Sequence, residues 1–173
     1  MLHKPRTERH PNRIYLCADS SGKQASGIWL KTPEGGRIIF LELINVVWSQ
    51  ADAARNINWK EATIALLTIR KALERLEDDI LLPFQWVIVF GEDNSTAKCA
   101  LNEFYYPRDA RLCGNLFQLY KDLKGVELVS FYTPSADMAA DEPSRDKLII
   151  PEKCEKHRQY LEKLYEDFGG NRY

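Results

Sequence analysis

The stretch FQWVIVFG, residues 84–91, is apolar at nearly every position and shows no alternation of polar and apolar side chains. A strand of that kind is covered on both faces, as the central strand of a parallel sheet is. Parallel strands need crossover helices, and the flanks supply them. Upstream, from Trp59 on, Ala62, Ala65, Leu66, Ile69, Ala72, Leu73 and Leu76 recur at helical spacing, with Asn58 as the expected N-cap. Downstream, NSTAKCALNEF (94–104) and ARLCGNLFQLYKDL (110–123) read as helices on either side of the turn YYPRD, and GVELVSFYT (125–133) reads as another strand. Before all of these stand NRIYLCADSS (12–21), SGIWLKT (26–32) and RIIFLELINVVW (37–48). The last two are joined through PEGG, a hairpin signal, so the three strands form an antiparallel meander. PEKCEKHRQYLEKLYEDF (151–168) is a charged amphipathic helix stopped by Gly169-Gly170. The order β-β-β-α-β-α-α-β-α gives an α/β fold: a mixed five-stranded sheet, meander first and parallel strands after, with helices packed on it. Residues 1–12 read as a flexible linker, 13–148 as the domain, and 149–173 as a C-terminal helix packed on it or extending it.

The chain has 173 residues, enough for one domain with a sizeable core. No apolar run approaches the ~20 residues of a membrane span, and the polar, basic start MLHKPRTERHPN has no secretory apolar stretch. Cys17, Cys99, Cys113 and Cys154 form no CxxC pair and read as reduced thiols of an intracellular protein. His3, His10 and His157 lie near the ends, which argues against a histidine metal site or a Ser-His-Asp triad. The formal net charge of −1 excludes a strongly basic nucleic-acid binder; if the protein acts on nucleic acid, its own grip is weak and a fused or partner domain holds the substrate.

The carboxylates fall in a pattern. Asp19 ends strand 1, Glu61 sits in the first turn of the first long helix, Asp93 follows strand 4, and Asp141 follows strand 5 at the start of a helical segment. Strands 1 and 4 are expected neighbours, so their carboxyl ends meet where open sheets bind ligands. Each acid alone has a simpler reading. Asp19 can cap a turn, Glu61 can answer a helix dipole, and Asp93 and Asp141 can cap helices. Together they would repel unless divalent metal neutralised them, and an all-oxygen set favours Mg2+ or Mn2+ over zinc. Two such ions suit in-line phosphodiester hydrolysis.

These residues resemble the ribonuclease H domains of reverse-transcribing elements. The string Pro134, Ser135, Ala136, then Ala140, Asp141, Glu142, Pro143, Ser144, Arg145 is similar to one in the hepadnavirus polymerase. Ile57, Asn58 and Glu61, together with Asp93, Asn94 and Ser95, resemble motifs of DIRS-like and gypsy-like retrotransposons, and Ala18, Asp19 and Ser20 match their opening motif. The resemblance covers about residues 13–148. It implies a ribonuclease H-like fold and cleavage of the RNA strand of RNA–DNA hybrids with two Mg2+ ions (Mn2+ substituting), leaving 5′-phosphate products. It also implies a reverse transcriptase domain in cis or another protein partner. Asp19, Glu61, Asp93 and Asp141 would be both catalytic residues and metal ligands, with Asp19 bridging both ions and Glu61 near the RNA 2′-hydroxyl. Ser20, Asn94 and Arg108 would contact substrate.

No histidine lies between His10 and His157, so the mobile histidine that many ribonucleases H carry before the fourth acid has no counterpart. Trp59 is expected as a core anchor, FYYPRDAR as a packed loop with a surface arginine, and Tyr160, Leu161, Leu164 and Phe168 as the buried stripe of the last helix. The competing function is a ribonuclease H-like module acting as a scaffold or protein-interaction part of a larger complex. A 3′-exonuclease of this fold ranks low, because Asp19-Ser20-Ser21 lacks the Asp-x-Glu opening.

Overall fold

The computed structural model describes residues 12–34, 37–78 and 86–168. Five strands, β1 (Asn12–Ser20), β2 (Gln24–Glu34), β3 (Arg37–Val47), β4 (Trp86–Glu92) and β5 (Glu127–Tyr132), form one sheet in the order β3-β2-β1-β4-β5. β1–β2 and β2–β3 pair antiparallel, and β1–β4 and β4–β5 pair parallel. The mixed sheet expected from the sequence is present in full. The helices are α1 (Gln50–Ala53), α2 (Ile57–Asp78), α3 (Ser95–Glu103), α4 (Ala110–Asp122) and α5 (Pro151–Phe168). The 1–12 linker, all but Asn12 of it, lies outside the described residues, as do Gly35-Gly36 of the hairpin and the Gly169-Gly170 stop.

The doubly apolar reading of β4 has a direct structural counterpart. Ile88 and Phe90 join one core with Ile14, Leu16 and Ala18 of β1, beneath α2, α3 and α4. Val87 and Val89 join another with Tyr15 and Cys17, beneath Cys154, Leu161 and Tyr165 of α5. Each fully buried Leu or Ile contributes about 1.5–3 kcal/mol, so a central strand feeding two cores is a strong fixed point for what lies at its end.

α2 buries Ala62, Ala65, Leu66, Ile69, Ala72 and Leu76, the stripe seen in the sequence. Its alanines let it sit close, and Gly27 of β2 is closer still: a Cβ there would collide with Thr68 of α2. The start of α2 differs from expectation. The helix begins at Ile57, and Asn56 is the capping residue, its Oδ1 accepting from Asn58 N–H at 2.7 Å. Glu61 therefore lies one turn in, not in the first turn, and it is buried, so an exposed dipole-capping acid is ruled out.

Two further expectations change. No α-helix starts at Asp141; it sits in a turn between 3-10 segments at Ser135–Asp137 and Pro143–Arg145. The buried face of α5 is Cys154, His157, Arg158, Leu161 and Tyr165, while Tyr160 and Phe168 are exposed and Leu164 is only half-buried. A histidine and a cysteine are part of the apolar-facing stripe, and counting only aliphatic and aromatic residues rotated the reading by about one position.

Candidate metal centre

The β1–β4 register pairs Cys17 with Gly91, so Asp19 and Asp93, each two residues further on, emerge side by side at the carboxyl ends of the central strands. α2 crosses above and lowers Glu61 to the same point. Carboxylate oxygens of Asp19, Glu61 and Asp93 lie within 4.8 Å of one another. Ser20 N–H ties two of them, donating to Asp19 Oδ1 at 3.0 Å and to Glu61 Oε1 at 3.1 Å. Ser20 Oγ donates to Ser21 O and accepts from Trp48 Nε1 at 2.9 Å. Trp48 in turn packs against Trp59, which carries the Arg55 guanidinium over its ring, so Trp59 is a half-buried wall beside the site.

Crowding acids in a dry place disfavours their ionised forms. Burial pushes Asp19 up to about 10, and the charges of Glu61 and Asp93 add to it. Burial and then Glu92 push Glu61 up to about 9. Asp93 is raised by burial, against a Ser135 Oγ donor at 3.3 Å that lowers it. Asp141 stands outside the trio. Its Oδ1 accepts from Arg145 Nε at 3.2 Å, yet it is near enough for its charge to raise Asp19 and Asp93. The small residues before it have a packing reason: Met138, Ala139 and Ala140 are buried in the core under α5.

A fifth acid, Glu92, was missed from sequence. It is fully buried, pushed well above the usual carboxylate range, and lies against Glu61. Its Oε1 accepts from Asn94 N–H at 3.2 Å, while its Oε2 and Glu61 Oε2 have no hydrogen-bond partner. The signal was available: period-2 alternation puts Glu92 on the face of Ile88 and Phe90, directly under α2.

The other expected site residues are placed as follows. Asn94 caps α3, accepting from Ala97 N–H, and donates to Asn58 Oδ1 at 2.8 Å. Arg108 is exposed in the α3–α4 loop, one residue before Asp109, which caps α4 and pairs with Arg55. In that loop Tyr106 is buried and Tyr105 exposed.

Searches with the sequence match no family model and no curated protein. Solved structures do match. Ribonuclease H1 from the halophilic archaeon Halobacterium salinarum aligns with a TM-score of 0.44 and 17% identity, over 72% of this chain and 88% of that one. LC11 ribonuclease H1 in complex with an RNA/DNA hybrid gives 0.47 and 15%, over 78% and 94%. The foamy viral protease–reverse transcriptase, solved with double-stranded DNA, gives 0.41 and 14%, over 76% of this chain and 22% of that one. At TM-scores below 0.5 and such identities these likenesses carry no argument, and what the site can do is read from its own side chains. No helix among the described residues is long and apolar enough to cross a membrane.

Proposed function

We propose that the chain is a divalent-metal-dependent ribonuclease H that cuts the RNA strand of RNA–DNA hybrids, of the type found in reverse-transcribing elements. The observation that carries this is the convergence of Asp19, Glu61 and Asp93 oxygens within 4.8 Å at the strand ends. The donor set fits hard cations: every ligand is a carboxylate, the acids are raised by burial and then by one another's charges, and Glu61 Oε2 is unpartnered.

Asp19 would be shared by two Mg2+ ions, Glu61 and Asp93 would complete one, and Asp141 would hold the other once it lets go of Arg145. Mn2+ would serve in place of Mg2+. The ions supply charge neutralisation at the phosphate and a lowered pKa for the attacking water. The protein's part is to fix the acids: the Ser20 amide holds Asp19 and Glu61 in place, and the Ser135 hydroxyl holds Asp93. Water oxygen bonds to phosphorus, the P–O3′ bond breaks, and the products carry a 5′-phosphate and a 3′-hydroxyl. Glu61 near the 2′-hydroxyl and the groove shape would tell the hybrid from DNA. Ser20 and Asn94 act here mainly through their backbone and capping bonds, and Arg108, exposed in its loop, would meet a phosphate.

The test is cleavage of a labelled hybrid in Mg2+. Wild type cuts, Asp93→Asn falls by at least ~100-fold with its fold intact, and duplex DNA is spared. Equal cutting by the variant refutes the assignment. A second reading, a non-catalytic interaction module, is favoured by one observation: Phe117 and Tyr120 stack on each other on the exposed side of α4. It would be preferred if no hybrid is cut in either Mg2+ or Mn2+.

A further inference from the structure

We propose that His157 of α5 is a positioning residue for Asp141, clamping the loop that carries this fourth acid against β4; the inference rests on the metal-dependent reading above. The imidazole is completely buried. Its Nδ1 accepts from Ala139 N–H at 3.1 Å, so the ring proton sits on Nε2 and is donated to Thr133 Oγ1 at 3.0 Å. Those two partners are the two ends of one loop. Thr133 is the first residue after β5, and Ala139 lies two residues before Asp141. Between them Ser135 donates to Asp93, and Thr133 N–H donates to Glu92 O at 2.8 Å. One ring therefore ties down the stretch from β5 that carries Ser135 and leads into Asp141, the two residues that act on Asp93 and Asp19.

Gly91 is part of the same device. A Cβ at that position would stand 2.5 Å from His157 Nε2 and 3.0 Å from Thr133 Oγ1, so the strand leaves room for the ring. The ring must accept at one nitrogen while donating at the other, which only the neutral form does. Burial, with the Lys153 charge behind it, holds its pKa down to about 3 and keeps it neutral in ordinary buffers. α5, which the sequence suggested as a helix packed on the domain or extending it, thus reaches the site through His157, beside the Lys153 ammonium that pairs with Glu142 at 3.0 Å. A histidine that merely filled the core would need neither bond, nor the glycine opposite.

The experiment is Mn2+ titration of the full chain by calorimetry, with folding checked by circular dichroism. Asp141→Asn defines the Asp141-dependent binding step by abolishing it. His157→Leu is expected to weaken that step by at least ~10-fold while leaving the step that Asp141→Asn retains within about twofold, the range seen when a group that orients a ligand is removed. His157→Asn, which offers an amide oxygen near the place of Nδ1, is expected to recover much of the loss. The double variant Asp141→Asn/His157→Leu should bind no more weakly than Asp141→Asn alone.

A folded His157→Leu that binds both ions as wild type does, or that weakens both steps alike, overturns the proposal. So does an Asp141→Asn that removes no step. If His157→Leu does not fold, Thr133→Val removes one arm of the clamp without changing volume; the same selective loss is expected, and wild-type binding by it overturns the proposal. Wild type that binds no Mn2+, or binding indifferent to Asp19→Asn, refutes the metal-dependent reading itself. Normal wild-type binding with indifferent His157 variants refutes the clamp alone.

Discussion

Replacing Asp19 by Asn should separate function from stability. In the metal-free protein its carboxyl is raised from 3.8 to about 10, so folding takes up a proton there. A group raised in the folded state contributes stability that is complete below its unfolded pKa and lost as pH rises. Metal-free stability should therefore fall between about pH 4 and pH 10, and Glu61, raised to about 9, adds to the slope. Asp19→Asn should flatten that slope and gain about 1–3 kcal/mol at pH 7 in EDTA, while abolishing Mn2+ binding and cleavage. Urea unfolding at several pH values checks it; an Asp19→Asn protein less stable than wild type throughout would contradict it. Asp19, Glu61 and Asp93 were legible because strand ends and helical spacing put them in one place. Glu92 went unread because it looked like the polar end of an apolar strand; the alternation put it on the face of Ile88 and Phe90, and the structure adds that it is buried against Glu61.

At the scale of elements, the site depends on how closely α2 lies on β2. Gly27→Ala would drive a methyl into Thr68, including its Cβ, so α2 must shift. The expected cost is about 1–3 kcal/mol, the usual range for overpacking, with reduced cleavage because Glu61 moves with the helix. Thr68→Ala in the same background removes two of the three colliding atoms and should restore part of both. Gly27→Ala as stable as wild type would show that the contact is not tight. The elements themselves were readable: α2 from its apolar period, β4 from its unbroken apolar run, the meander from its turn. The face of α5 was not, because His157 sits in the stripe by virtue of two specific hydrogen bonds that no hydrophobicity pattern encodes. The segment around Asp141 was misread as helical because capping chemistry and 3-10 turns use the same residues.

At the scale of the whole molecule, connectivity narrowed the sheet to a meander with strands 1 and 4 as neighbours, and the observed order β3-β2-β1-β4-β5 is one of the few arrangements that leaves. Charge makes a further prediction. With a formal net charge of −1, few phosphates can be neutralised, so hybrid binding should depend only modestly on salt. For cleavage-dead Asp93→Asn, the slope of log K against log salt should be below about 4 in magnitude, roughly 0.9 for each phosphate met. Fluorescence anisotropy measures it, and a slope near 8–10 would mean a basic footprint that the composition does not suggest.

The most direct measurement is the anomalous diffraction of crystals grown with Mn2+. The account predicts a peak about 2.1 Å from oxygens of Asp19 and at least one of Glu61 and Asp93. Clear density for all three side chains with no metal among them, at millimolar Mn2+, would contradict it.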